Sequence, residues 1–312
     1  MILNEFLSNL IRLSYLKRLR QRLKIRRALT VKNKHCLKLL VHPDVVGMGI
    51  GLKTVGNSDT GQVCITIYVP RKLPLSELDS EQILPNKLDG ISTDIVEFGM
   101  GSKKMRLQAS SYLGERMRPV TIGASIGHFA LQGAGTLTGY VKDKKTDEIL
   151  LMSCWHVLTN FGRGKKGDEI IQPALIDGGT VDDDTVATLE SWVNVKTLGP
   201  ILGEAKSNLK SYLNRGKIPP LNKVDVAFAK PISNDVIPKD FSYAKVKRGR
   251  VGETASWIGR TSGVTRSKII DNNATMWVEY PGYGVALFDD VAVSRGKNFP
   301  GDSGAPIFVS GR

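Results

Sequence analysis

The stretch PGDSGAP, Pro300 to Pro306, sets a serine between glycines. A serine hydroxyl is a weak nucleophile at its own pKa. It needs a base beside it and donors ready for the oxyanion that its attack creates. Glycines around Asp302 and Ser303 let the backbone turn tightly, so the amides of Gly301 and Ser303 can aim at one spot. The small Gly304 leaves room there for a substrate carbonyl. The plainer alternative is a surface turn, because Gly, Asp and Ser all favour turns.

Four histidines are candidates for the base: His35, His42, His128 and His156. His35 lies in a basic tail and His42 opens the segment after it. His128 follows a glycine at what reads as a strand edge. His156, in LLMSCWHVLTN, stands at the end of an apolar strand, which can bury one side of the imidazole and expose the other. A lone histidine in such a place is more often a hydrogen-bonded core residue; Ser303 tips the balance. The third member is Asp225 in NKVDVAFAK. A carboxylate among Val, Ala and Phe is costly unless hydrogen-bonded or paired. An imidazole N–H is the partner that the chemistry requires, fixing the tautomer and stabilising the imidazolium. Asp182, Asp183 and Asp184 read as a solvated loop, and Asp289 and Asp290 stand too near the serine in sequence. The order His156, Asp225, Ser303 is that of the chymotrypsin barrels, not of subtilisins or α/β-hydrolases.

The elements that must hold these residues are short. From about residue 115, apolar runs alternate with Gly-, Asp- and Asn-containing turns, as in GTLTGYV, EIIQPAL, TVATLESWV, ETASWIGR, ATMWVEY and VALFDDVAV. That spacing predicts an all-β barrel or sandwich. Leu209–Pro220, LKSYLNRGKIPP, reads as a basic connector. Ahead of it, 41–110 reads as a small α/β unit. Its strands are VVGMGIGLK (Val45–Lys53), VCITIYVPRK (Val63–Lys72) and ISTDIVEFG (Ile91–Gly99), with LSELDSEQILP as a helical or loop stretch. GMGIG lacks the spacing of a phosphate-binding loop. Alternate glycines in a strand more simply permit close backbone approach.

The formal net charge of +14 is concentrated at one end. Residues 1–41 carry eleven Lys and Arg against the single acid Glu5. Leucines recur there at helical spacing, predicting a helix over about residues 4–28. Such a helix either packs on a neighbouring subunit or domain with a solvated basic face, or meets an anionic membrane or nucleic acid. No run of about 18 apolar residues predicts a membrane-spanning helix. The N-terminus lacks the charge order and cleavage site of a signal peptide. Three scattered cysteines, Cys36, Cys64 and Cys154, point to a reducing compartment. The expected location is cytoplasmic, with the tail allowing peripheral membrane contact.

At this point residues 115–312 resemble the trypsin-like domain of bacterial proteins similar to the plant narrow-leaf family. The stretches that carry the likeness are Arg118–His128, Ala134–Leu158, Asp182–Leu189, Asn222–Ala229, IGRTSGVT (Ile258–Thr265) and FPGDSGAP (Phe299–Pro306). VVGMGIGLK, IYVPRK and STDIVEFG extend it to the N-terminal piece, but not into the basic tail. The resemblance implies a mainly β protein with a chymotrypsin-like double β-barrel, standing behind the small α/β domain and the basic N-terminal helix read above. The boundaries would be 1–40, 41–112 and 113–312. It implies a His156–Asp225–Ser303 triad, an oxyanion hole from the Gly301 and Ser303 amides, a protein or peptide substrate, and no cofactor.

Two departures stand out. Cys154-Trp155 precedes the histidine where the family usually has Asn-Asn or Ala-Ala. The sequence also ends nine residues after Ser303, where this fold continues with further strands, so the second barrel is expected to be short and a C-terminal segment would be a partner. Lys297, six residues before the serine, is the candidate for the specificity-pocket floor and would favour an acidic side chain. The small domain is placed to gate the site or build a homo-oligomer. The rival expectations are a protease-like scaffold or zymogen fragment with an unformed site, and a nucleic-acid- or anionic-membrane-binding protein acting through its tail.

Overall fold

The computed structural model describes residues 2–56, 58–99, 112–241, 246–296 and 298–309, with side chains from residue 15 onward except at 17 and 18. Neither glycine nor proline occurs before Pro43, so nothing in the chain opposes helix there. Helix α1 runs Ile2–Leu39, eleven residues past the expected end. The extension is held by burial of Ala28, Val31, Cys36 and Leu40, where α1 packs against the first two strands.

Strands β1 (Gly47–Val55), β2 (Ser58–Val69), β3 (Lys87–Leu88) and β4 (Ile91–Glu97) follow. β1 and β2 are antiparallel, and β2 and β4 run parallel. The next stretch supplies β5 (Ser125–His128), β6 (Gly135–Thr136), β7 (Gly139–Lys142), β8 (Ile149–Ser153), the single-turn helix α2 (Trp155–Leu158), β9 (Glu169–Ile171), the single-turn α3 (Val181–Asp184) and β10 (Thr185–Trp192). Then come β11 (Thr197–Gly199), α4 (Leu202–Asn214) and β12 (Ala227–Pro231). The chain closes with β13 (Thr254–Gly259), the long β14 (Gly263–Tyr280), β15 (Gly284–Ser294) and β16 (Ile307–Val309).

The protein is mainly β, as expected, with its described strands in two sheets. The first has the order β6-β5-β9-β10-β12-β8-β7. β6 and β7 are successive parts of one run, residues 135–142. The Leu137 amide bonds to Ala124 on the β5 side, and the Thr138 amide bonds to Met152 on β8. The two ends of the sheet therefore meet, and the sheet is a closed barrel. β5, β6–β7 and β8 succeed one another and β9 returns beside β5, which is Greek-key connectivity. Closure leaves no free edge. Ile126, Leu137, Leu151, Ile170, Val186 and Leu189 fill the interior.

The second sheet has the order β11-β15-β14-β1-β2-β4-β3, with β13 on β14 and β16 on β13. Its joint is the pairing of Gly47 with Met276 and of Met48 with Thr275. Strands from the 41–112 segment and from residues 263–294 thus form one sheet. The glycines of GMGIG make this approach possible. A Cβ on Gly47 would lie 2.8 Å from the Met276 side chain, and one on Gly49 would lie 1.5 Å from Asp271 Oδ2.

Two expectations need correcting. The first half of the basic connector at Leu209–Pro220 is the end of α4, whose Ala205 and Leu209 are buried against the second sheet's core. Lys206 on the same helix is buried and donates to the carbonyls of His42, Pro43 and Val45 at 2.6–2.8 Å. Burial pulls its pKa down to about 8. The three aspartates 182–184 are not a solvated loop either. Thr180 caps them as α3, and Asp184 is buried against Arg116 at 2.8 Å.

Candidate active site

β8 carries the chain through the first barrel to Ser153, and Cys154 breaks it with an extended backbone before α2 begins. His156 is therefore on a helical turn just past the strand, not at the strand's own end. The neighbouring Trp155 is fully buried against the second sheet. Its ring meets Tyr280 and Tyr283 edge-on at 5.9 and 5.0 Å between centroids. The unusual tryptophan is an anchor between the two halves. Immediately after α2, Asn160 and Phe161 adopt left-handed backbone (φ +46 and +56), a conformation costly for such residues. This turn lays the Phe161 ring 5.7 Å from the His156 ring.

Asp225 precedes β12 and reaches His156 directly. Oδ2 accepts from His156 Nδ1 at 2.7 Å, and Oδ1 accepts from the His156 amide at 3.4 Å. A carboxylate can only accept, so Nδ1 carries the proton and Nε2 of the neutral ring is left as a base. Tyr280 Oη donates to the same Oδ2 at 2.8 Å. Burial pushes the Asp225 carboxyl up, but the hydrogen bonds and charge of His156, with the Tyr280 hydroxyl, outweigh it and hold the group below its usual range. Burial and the neighbouring carboxylate together push the Tyr280 hydroxyl up, so it stays a donor.

The other histidines are engaged elsewhere. His128 is buried, contacts Asp168 at 3.0 Å and accepts from the Ala130 amide. His35 contacts Asp89, and His42 contacts the Glu81 carbonyl. Asp289 serves Lys32, Lys223 and Thr275, and Asp290 serves Arg248.

The turn bearing Ser303 lies on the first barrel. Thr136 is the main clamp: its amide donates to the Ser303 carbonyl at 2.7 Å and its hydroxyl to the Gly301 carbonyl at 2.7 Å. Thr138 Oγ1 donates to the Gly304 carbonyl at 2.6 Å. Gly301 and Gly304 both have left-handed backbone (φ +99 and +93), which glycine alone adopts freely. A Cβ on Gly304 would lie 2.2 Å from the Thr136 carbonyl, so the space expected for substrate at this glycine is filled by the chain itself. The amides of Gly301 and Ser303 donate to no acceptor among the described residues.

Asp302 shapes the turn from the other side. Its buried carboxylate accepts from the amides of Thr261, Ser262 and Phe299 at 2.9–3.0 Å. The adjacent Arg260 is buried and paired with Asp177, and its amide donates to Thr136 Oγ1 at 2.9 Å.

Cys154 connects the two groups. Its thiol lies within 4.8 Å of ligand atoms on both His156 and Asp225, and the Gly304 amide faces it. The Ser303 turn therefore adjoins the His156–Asp225 pair, although Ser303 Oγ makes no hydrogen bond to the ring among the described residues. Burial, then the charge of Asp225, raises the Cys154 thiol well above its ordinary value. Cys154, His156 and Asp225 form a trio of metal-ligand type. A cation there would have to displace both the thiol proton and the His156–Asp225 bond. Lys297 lies outside the described residues. Thr136, Tyr280 and Asp302 were not singled out by their sequence context. Only Asp302, inside the glycine turn, carried a local signal.

No protein-family model matches the chain, and no curated protein matches it. Among solved structures it is similar to Nocardiopsis protease NAPase, at 15% identity and a TM-score of 0.36, over 60% of this chain and 77% of that one. It is similar to a glutamic-acid-specific serine protease at 14% identity and a TM-score of 0.37, over 60% and 78%. It is also similar to the Cellulomonas bogoriensis chymotrypsin at 14% identity and a TM-score of 0.32, over 61% and 76%. Likenesses this distant decide neither substrate nor activity.

Proposed function

We propose that this protein is a trypsin-like serine endopeptidase, akin to the bacterial relatives of the plant narrow-leaf family. The observation that carries the reading is the 2.7 Å bond from His156 Nδ1 to Asp225, formed beside a glycine turn whose Gly301 and Ser303 amides are unspent. Ser303 Oγ attacks the scissile carbonyl carbon while His156 Nε2 takes its proton. The oxyanion accepts from the Gly301 and Ser303 amides. His156 then returns the proton to the leaving amine, and water hydrolyses the acyl-enzyme by the reverse sequence. Asp225 holds the ring and stabilises the imidazolium. Lys297 at the pocket floor would select an acidic residue before the scissile bond. A peptide panel preferring Arg or Lys there would sink that assignment.

The test is intact-mass labelling with a fluorophosphonate. One adduct on the full chain, lost in Ser303→Ala and slowed by His156→Ala, supports the endopeptidase. A second reading, a protease-like scaffold, draws on the missing hydrogen bond between Ser303 and His156. A folded chain that takes no adduct favours it, although such bonds often tighten only with substrate in place.

A further inference from the structure

The outer part of α1 leaves the body of the protein. Every described side chain from Tyr15 to Arg27 is exposed, and burial starts only at Ala28. At 1.5 Å per residue, residues 2–27 reach roughly 39 Å. Successive residues turn 100° about the axis, so Leu16, Leu19 and Leu23 form one narrow stripe. Ala28, Val31, Lys32 and Cys36, which are buried, mark the opposite side of the helix. The leucine stripe thus faces away from the protein and cannot fold back onto it. Arg22 and Arg26 border the stripe on one side, and Arg20 and Arg27 on the other. No acidic residue occurs between Glu5 and Asp44 to balance them.

A helix without packing is marginal in water, so an apolar stripe of this kind calls for a cover. We propose that the outer half of α1 lies on an anionic phospholipid bilayer surface. Leu16, Leu19 and Leu23 enter the boundary between headgroups and acyl chains, and the flanking arginines extend to the phosphates. Charge selects this occupant. A second copy would bring an equally basic helix against the first, with no acids to pair. A nucleic acid would take the arginines and leave the leucines in water. A bilayer with anionic lipid satisfies both faces, and long basic side chains on either side of an apolar stripe can snorkel to the headgroups. The helix lies along the surface. No described helix is long and apolar enough to cross a membrane.

The experiment is co-sedimentation of the full chain with vesicles of phosphatidylcholine alone or with about 30% phosphatidylserine, at low and high salt. The expected result is at least ~10-fold stronger partition onto the anionic vesicles, weakened by salt. Leu16→Ala/Leu19→Ala/Leu23→Ala keeps every charge and replaces exposed residues with the best helix former. It should lose ~10-fold or more in partition while keeping the wild-type melting temperature. Unchanged partition by that variant would mean charge alone and overturn the proposal. So would failure of the wild type to bind anionic vesicles, whether it instead binds duplex DNA or self-associates in sedimentation. Neither result touches fluorophosphonate labelling, so this inference stands or falls apart from the peptidase reading.

Discussion

Tyr280 and His156 donate to the same oxygen of Asp225, at 2.8 and 2.7 Å, one from the second sheet and one from the first barrel. The carboxylate is therefore positioned by both halves at once. In Tyr280→Phe it loses one donor while remaining mostly buried. A charge-assisted hydrogen bond of this kind contributes about 1.5–3 kcal/mol. Phosphonate labelling should slow ~10-fold, because the carboxylate that orients His156 is held by one donor fewer. A labelling rate identical to wild type would show that Asp225 needs no second donor.

Asp302 holds three backbone amides from two loops. Asp302→Ala leaves three half-buried amides without their acceptor, each costing about 1 kcal/mol or more. A loss of ~3 kcal/mol or more in urea unfolding is expected, with labelling of Ser303 abolished. Asp302→Asn keeps the volume and some acceptor capacity and should fall between. Equal stability of Asp302→Ala and wild type would remove Asp302 from any bracing role.

Gly49 should tolerate no side chain, because its Cβ would fall 1.5 Å from Asp271 Oδ2 inside the sheet. Gly49→Ala is expected to cost about 3 kcal/mol by overpacking. Gly203→Ala, on α4 with nothing within 4 Å, provides the contrast and should be neutral or stabilising by up to ~1 kcal/mol. Thermal melts of the two variants check the difference; similar melting temperatures would refute it.

Asp271 itself gives stability a pH dependence. Burial pushes its carboxyl up to about 7, against the lowering pull of the Asn273 and Ile50 amides, the Tyr68 hydroxyl and the Lys32 charge. The folded state then holds a proton that the unfolded chain releases near pH 4. Its stabilising share is complete below that value and is lost as pH rises to about 7, on the order of a few kcal/mol. Melting temperature should therefore decline over this window more steeply in wild type than in Asp271→Asn. Parallel profiles would mean that the carboxyl is ionised in the folded protein.

Much of the candidate site was legible because the chemistry proposed for it restricts residue type. His156, Asp225 and Ser303 stand in an order and in local contexts that few alternatives share, and the structure brings the first two into direct contact. The strands around GMGIG were legible from alternation, and their glycines from the need for close approach. Tyr280 and Thr136 were not, because each acts through a partner 55 or 165 residues away that no local pattern encodes. α4 was misread because Lys210, Asn214 and Arg215 colour its exposed face, while its core contacts come from Ala205 and Leu209. Asp184 was hidden in a run of three acids, of which it alone is buried.

The helix that projects from the body is continuous with the helix that grips it. Five residues past Arg27, where its exposed outer half ends, Lys32 Nζ donates to Thr275 Oγ1 at 2.5 Å and contacts Asp289 at 3.3 Å. Thr275 lies on β14, five residues before Tyr280 on the same strand. A surface that takes hold of the outer helix thus has a stiff handle, not a tether. It sets the heading of the Ser303 turn and its standoff from that surface, and any torque on the handle is delivered to the strand that steadies Asp225.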